Sequence, residues 1–396
     1  MRILFLTQLL PLPLDAGPKV RSFHVLRYLS QAGHDVHLVS FIRPGEHEHV
    51  VDPLRRLCAS IDLVPLRRSR LRDARDGVRS LLTSMPFLVL RDQVAPMHER
   101  LEQLAGSRSF DAIHADQLWM APYGMNGVGA GLRVLDQHNA VYLVPQRMAQ
   151  HHANPVARAL LRSEACKLAA FERDACRRYD RVVWVTDEDR RAIVDPTEDR
   201  AGRDTVIPIA TDPDMHPRIR RDRPFRVTFL GGLHWPPNSE GVSWFVEHCW
   251  ARVAEAVPSA VLTIIGKGGE KAVPGLDGSD RVEITGYVND PLRYLSETAV
   301  FVVPLLSGAG MRVKILDAWC WGLPIVSTTI GAEGLQAVDG DNLLLADEPE
   351  TFADSVIRIM RNEVMARRLV DNGRATVETS YDWKAVYRAW DGVYSS

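Results

Sequence analysis

Lysine is scarce in this chain. Of 396 residues, 48 are basic, and only six of those are Lys, at 19, 167, 267, 271, 314 and 384. Net charge is scarce too, with 48 basic residues against 50 acidic ones. A protein that wraps a long polyanion carries a positive excess, so general nucleic-acid binding is excluded as its main task. Cysteine is sparse and odd in number: five residues, at 58, 166, 176, 249 and 320, without C-x-x-C spacing. That excludes a zinc ribbon, a redox dithiol and a disulfide framework, and assigns the cysteines to core packing in a reducing compartment. No apolar run approaches the ~18 residues needed to span a bilayer. The apolar start Met1–Leu6 is interrupted at Gln8, Pro11 and Pro13 before any small-residue cleavage site. It reads as a buried strand and not as an export signal, and the expected location is cytoplasmic. Metal motifs are missing as well. The acidic groups Asp187-Glu188-Asp189 and Asp212-Pro213-Asp214 follow a strand and lie in a linker, so no metal site is expected. No G-x-G-x-x-G follows the first strand, which argues against a dinucleotide-dependent dehydrogenase.

What is present is ordinary in bulk, 46% apolar and 25% charged, and regular in order. Short apolar runs alternate with helical patterns, which predicts βαβ units and parallel sheets in an α/β chain. Strands are expected at Arg2–Thr7, His34–Phe41, Ile61–Pro65, Ala112–His114, Arg133–Asp136 and Arg181–Val185, and a long helix at Pro155–Arg178. The pattern restarts at Arg226–Leu230, with a helix at Ser239–Ala256. Strands at Ala260–Ile265, Val282–Thr285, Val300–Pro304 and Pro324–Ser327 follow. Pro208–Pro224 holds four prolines and no periodicity, and reads as a linker. The expected organisation is an N-terminal domain over 1–207, a linker over 208–224, a C-terminal domain over 225–378 and a closing helix over 379–396.

Ser307–Gly334 carries the densest chemistry. A strand ends at Pro304, and a loop with Gly308 and Gly310 leads into a helix expected near Met311. Arg312 and Lys314 then fall in its first turn, where positive charge opposes the helix dipole unless an anion compensates it. Asp317 follows and is placed to accept hydrogen bonds from ribose hydroxyls. A second glycine turn, Phe229–Asn238, offers Gly231 and Gly232 for close backbone approach, with His234 and Asn238 as donors to a diphosphate or a sugar. Ile265–Gly269 contributes Lys267, and Thr285–Val288 ends at Val288. In the N-terminal loop Pro11–Arg21, Gly17 permits close approach, and Lys19 and Arg21 again sit on the dipole's unfavourable side, pointing to an anion. His114, Asp116 and His138 lie at strand ends and are candidates for the catalytic, acceptor-side groups, with Arg147 beside them. His151 and His152 read as surface residues. Within Leu66–Ser80, Arg68, Arg72, Arg75 and Arg79 share one helical face, and Leu71, Ala74, Val78 and Leu82 a neighbouring one. That pattern suits a solvated helix or one resting on an anionic membrane.

These motifs resemble the GT-B glycosyltransferases of the large glycosyltransferase 4 group. The resemblance rests on Leu316-Asp317-Ala318 and Gly322-Leu323-Pro324-Ile325-Val326-Ser327-Thr328, and is strongest over 225–335. It implies a GT-B fold of two Rossmann-like domains facing an interdomain cleft. It also implies transfer of a sugar from a nucleoside-diphosphate sugar to an acceptor, with retention of configuration and without a metal or further cofactor. Asp317 would hold the ribose, Gly231, Gly232, Gly308, Gly310 and Met311 would seat the donor, and Lys267 and Val288 would lie beside the base. The acceptor would be an envelope polysaccharide, a glycolipid or a small glycoside, with peripheral membrane contact through 66–82. The group usually pairs two glutamates seven residues apart; here the positions hold Ala309 and Asp317, in a G-x-G-x-R-x-K loop form. Alternatives are a GT-B nucleotide-sugar epimerase, a two-domain solute-binding protein and a silent sugar-nucleotide-binding homologue.

Overall fold

The first six strands of the first sheet are short, mostly apolar runs that each end where a loop leads into a helix. The strands are β1 (Arg2–Thr7), β2 (Asp35–Ile42), β3 (Ser60–Pro65), β4 (Phe110–Asp116), β5 (Ala130–Gln137), β6 (Arg181–Trp184) and β7 (Asp204–Val206). They lie in the order β3-β2-β1-β4-β5-β6-β7, and all pairs are parallel. Ile3, Leu4, Phe5 and Leu6 are all fully buried, because both faces of the parallel sheet are covered. The pleat divides them: Leu4 and Leu6 join a core with Val39, Phe41 and Trp184, while Ile3 and Phe5 join one with Leu38, Trp383, Tyr387 and Trp390. The strand order reverses between β1 and β4, and such a switch point opens a crevice at the carboxyl edge.

The second sheet holds β8 (Arg226–Leu230), β9 (Val261–Ile265), β10 (Val282–Gly286), β11 (Thr298–Val303), β12 (Ile325–Ser327) and β13 (Leu344–Leu345), in the order β10-β9-β8-β11-β12-β13. Its strands are parallel throughout. The helices Pro349–Arg361 and Glu363–Ser380 follow; the first buries Phe352 and Val356 and the second Leu369.

The computed structural model describes all residues except 47, 127–128, 152, 217, 222–223, 270–280 and 396. His152 therefore lies outside the described residues. The chain divides into two units, Met1–Ala210 with Trp383–Ser396, and Thr211–Asp382. Much of the segment read as linker is tied down inside the second unit. Thr211 N–H donates to Tyr381 O at 2.9 Å, and Ile219 N–H to Trp321 O at 2.9 Å. Among the described residues no helix is long and apolar enough to cross a membrane.

Two local expectations are corrected, and two short strands escaped the sequence reading. The helix read as Ser239–Ala256 starts at Pro236 and passes through a π turn at Val246–Trp250. Pro236 and Pro237 look like breakers in sequence, yet the first helical turn needs no N–H from them. The strands β7 and β13 are three and two residues long, too short to show a period. Cys166 is exposed on the 155–178 helix, so core packing describes only the other four cysteines.

Candidate functional site

In the second unit the loops after β8 and β11 meet at one lysine. Lys314 Nζ donates to Asn238 Oδ1 at 3.0 Å and lies 4.3 Å from the Phe229 ring centroid. Asn238 Nδ2 in turn donates to Gly232 O at 2.8 Å, so Asn238 positions the lysine as well as the turn. Gly231 leaves room for the lysine, since a Cβ there would stand 2.7 Å from Lys314 Nζ and displace it. Among the described residues no carboxylate pairs with this ammonium. Burial, and then the charge of Arg312, push its pKa down to about 7.

The helix read from Met311 begins at Val313, and Arg312 occupies the capping position before it. The Arg312 guanidinium donates back to Ala309 O at 2.6 Å and Gly310 O at 2.7 Å, clamping its own loop. Gly308, at φ +133°, lies under this guanidinium, where a Cβ would come within 2.5 Å of it. Met311 is buried below the loop. The backbones after β8 and β9 also touch: a Cβ on Gly266, at φ +150°, would meet Gly231 O at 2.0 Å. Lys267 Nζ lies 4.6 Å from the centroid of the exposed Tyr287 ring, with half-buried Val288 next in chain. His234 is exposed, and its ring folds over Gly232.

Asp317 lies one helical turn beyond Lys314. Burial raises its carboxyl pKa to about 6, against the opposing influence of His216, whose Nε2 is 3.8 Å away. His216 and Glu240 escaped the sequence reading. Glu240 accepts a 2.7 Å bond from Ser307 Oγ and so brings a carboxylate to the loop in which Ala309 lacks one. Neither has a motif of its own; only the fold brings them to these loops.

In the first unit the carboxyl ends of β4 and β5 hold a buried charge cluster. His138 Nε2 donates to Asp116 Oδ1 at 2.9 Å and lies 3.5 Å from Asp136 Oδ2. Burial alone would lower the histidine's pKa; the two aspartates outweigh it and raise it to about 9. Ser22 Oγ donates to Asp116 Oδ2 at 2.9 Å. The backbone after His138 is held by Glu172, which accepts from Val141 and Tyr142 N–H at 2.8 and 3.0 Å. Gln117, at φ 71°, turns the chain sharply after Asp116, an uncommon conformation for a residue with a side chain.

Three acceptor-side expectations are corrected by burial. Arg21 is fully buried and forks onto Asp136, Nε to Oδ2 at 2.8 Å and Nη2 to Oδ1 at 2.6 Å. Its positive charge is answered by this carboxylate and not by a ligand. Lys19 likewise pairs with Asp15 at 2.9 Å. His114 is a core residue: its ring stacks on Phe5 at 4.0 Å, Nδ1 bonds Tyr394 Oη at 2.7 Å, and burial lowers its pKa to about 4. Gly17 is the first residue of the helix Gly17–Gln31, and Arg147 is half-buried on the helix Leu143–His151. The fold also gathers a group that spacing could not reveal. Ligand atoms of His114, Asp116 and Asp136 lie within 4.8 Å of one another. They do not fit a metal, because Arg21 and His138 already occupy the Asp136 and Asp116 oxygens.

Comparison with known proteins gives these loops a context. Residues 224–362 match the family model described as glycosyl transferases group 1. Over 390 residues the chain is 23% identical to an uncharacterized 44.6 kDa protein in the cps region of Klebsiella pneumoniae, covering 95% of each chain. It is 26% identical to a phosphatidyl-myo-inositol mannosyltransferase of Mycobacterium leprae over 43% of this chain and 46% of that one. Its fold is similar to that of Anabaena HepE, whose crystal structure is a complex with UDP and glucose, with a TM-score of 0.69, 13% identity and full coverage of both chains. The match to the group 1 glycosyl transferases covers residues 224–362, and the two α/β units of the chain carry the GT-B fold.

Proposed function

We propose that the chain is a glycosyltransferase that uses a nucleoside-diphosphate sugar held by the second unit, and that the acceptor is held by the first unit at the carboxyl edge of its sheet. The observation that carries the reading is Lys314: a desolvated ammonium at a helix start, between two glycine loops, with no carboxylate partner among the described residues. A diphosphate supplies the missing anion. As the bond from sugar to diphosphate breaks, Lys314 and the loop N–H groups neutralise the departing charge without calling on a metal. Asp317 would take the ribose. His138, charged at neutral pH and held by Asp116 through Nε2, supplies a fixed positive charge at the acceptor edge of the sheet. Retention of configuration follows from the family resemblance and is part of the proposal, as is a cytoplasmic location with no cofactor beyond the donor. The UDP and glucose bound by HepE support a donor of this class.

The test is a thermal-shift panel of UDP-, GDP-, ADP- and dTDP-sugars, since a ligand of the native state raises its apparent stability. One base series should raise the midpoint of the wild type, and Lys314→Ala and Arg312→Ala should abolish the rise. No response to any series sinks the reading.

The acceptor is proposed to be membrane-borne, because the helix Arg70–Leu82 is inverted. Leu71, Val78, Leu81 and Leu82 are 86%, 58%, 65% and 81% exposed, while Asp76 is buried. Arg68 and Arg72, expected on the outer face, turn inward to Asp92 and Asp76. Arg67, Arg70, Arg75 and Arg79 are exposed around the apolar stripe, which suits an anionic bilayer. Sedimentation with phosphatidylglycerol vesicles, but not with phosphatidylcholine vesicles, is expected, and Leu71→Gln with Leu82→Gln should release the protein. Equal sedimentation of the variant removes this helix from the account.

A further inference from the structure

Beside the charge cluster of β4 and β5, the same edge of the first sheet carries three arginines from separate loops. Arg43 directly follows β2, Arg68 comes three residues after β3, and Arg91 ends the short helix Phe87–Leu90. Arg68 pairs with Asp92, which is 1% exposed, and the charge of Asp92 reaches Arg43 and Arg91 as well. Arg68 Nη2 pairs with one Asp92 oxygen, and Gln8 Nε2, from the residue after β1, donates to the other. That carboxylate is thereby committed. Among the described residues neither the Arg43 nor the Arg91 guanidinium makes an ion pair or a hydrogen bond. Asp92 attracts both through space; Glu46 adds to this at Arg43, from whose backbone N–H it also accepts at 2.7 Å, and Asp73 adds to it at Arg91. Burial, and then the repulsion of Arg68, lower the pKa of both guanidinium groups. The frame is held in place: Arg72 Nη2 donates to Arg91 O at 3.1 Å and to Gln93 O at 2.9 Å.

Three like charges from three loops, two of them half-buried, share one carboxylate, and a further anion joining them lowers that cost. Guanidinium forks match tetrahedral oxyanions, and the carboxyl edge of a parallel sheet is where α/β proteins place ligands. We propose that Arg43, Arg68 and Arg91 bind a phosphate group carried by the acceptor. This deepens the reading of the first unit as the acceptor half and rests on it. The phosphate belongs either to a soluble phosphate ester or to a lipid headgroup, and the chemistry of recognition is the same for both.

The experiment is calorimetric titration of the full chain with three probes: short-chain dihexanoyl phosphatidate, inorganic phosphate and dihexanoyl phosphatidylcholine. Saturable binding of the phosphatidate and none of the phosphatidylcholine is expected. Arg43→Gln with Arg91→Gln should weaken the phosphatidate by about tenfold or more, the scale of lost charge-assisted hydrogen bonds. Arg68 is left in place because its removal would strand the buried Asp92. Arg43→Lys with Arg91→Lys keeps the charge and should recover much of the affinity; both variants must match the wild type in unliganded thermal midpoint. Full competition by inorganic phosphate assigns the site to soluble esters, and weak competition assigns it to a lipid. If the wild type binds no phosphate probe, or if the Gln variant binds as tightly as the wild type, the arginine site is overturned. Donor-sugar thermal shifts, read in parallel, depend on the second unit. Their absence beside intact phosphate binding would overturn the proposed function and leave the arginine site standing.

Discussion

At the scale of single residues, two titrating groups make the reading testable. Lys314 has its pKa pushed down to about 7, so near pH 8 much of it is neutral. A bound diphosphate favours the charged form, and binding must therefore draw a proton from solution. Titrations in buffers of different ionisation enthalpy at about pH 8 should show this uptake, which Lys314→Met should abolish. Uptake that persists in the variant assigns it elsewhere. His138 has the opposite shift, up to about 9 between Asp116 and Asp136. A raised folded pKa contributes stability that is complete below the unfolded value, near 6.5, and is lost as pH rises through the folded value. The melting midpoint should therefore fall between about pH 6.5 and pH 9. His138→Gln should flatten that fall, and an unchanged slope would mean that the ion cluster is not where the proton is held.

At the scale of elements, the 155–178 helix does more than cover the sheet. Its Glu172, fully buried, caps two backbone N–H groups of the loop that follows His138 and also accepts from Gln137 Nε2 at 2.9 Å. Burial raises its pKa to about 8, and the hydrogen bonds work against that rise. Glu172→Ala should leave these donors without partners, at a cost of about 3 kcal/mol. Denaturant unfolding would measure it, with Glu172→Gln expected to lose much less. Equal losses in the two variants would show that side-chain volume, and not the capping oxygen, holds the loop. The long helix itself was legible from periodicity, since Pro155–Arg178 is both the expected and the observed span. The capping role was not, because Glu172 and Val141 are far apart in sequence and meet only once β5 and the helix pack.

At the scale of the whole chain, the division of labour between the units can be read separately. A bound nucleoside-diphosphate sugar should slow amide exchange in 231–238 and 308–317 of the second unit. A phosphate-bearing probe should protect 43–46 and 91–93 of the first. Hydrogen exchange with each ligand alone checks this, and protection appearing in the wrong unit contradicts the assignment. The chain also joins its first unit through its end. Trp390 is fully buried against the β1 face, and Trp383 and Tyr387 pack in the same core.

The sequence alone determined the alternation of strands and helices, the parallel α/β class and the glycine loops of the second unit. These are local properties: a period of apolar residues, a turn that only glycine permits, a charge at a helix start. Tertiary structure decided the meaning of the remaining charges, because a charge acts through its neighbours in space. Arg21 and Lys19 looked like ligand contacts until Asp136 and Asp15 were seen to answer them. Arg43 and Arg91 belong to no motif, and only the fold brings them, with Arg68, near one committed aspartate. The opening scarcity of lysine takes its significance from the same source. Of six such residues, it is Lys314 that the fold surrounds with glycine turns, an amide and an aromatic ring, leaving an ammonium with no carboxylate partner among the described residues.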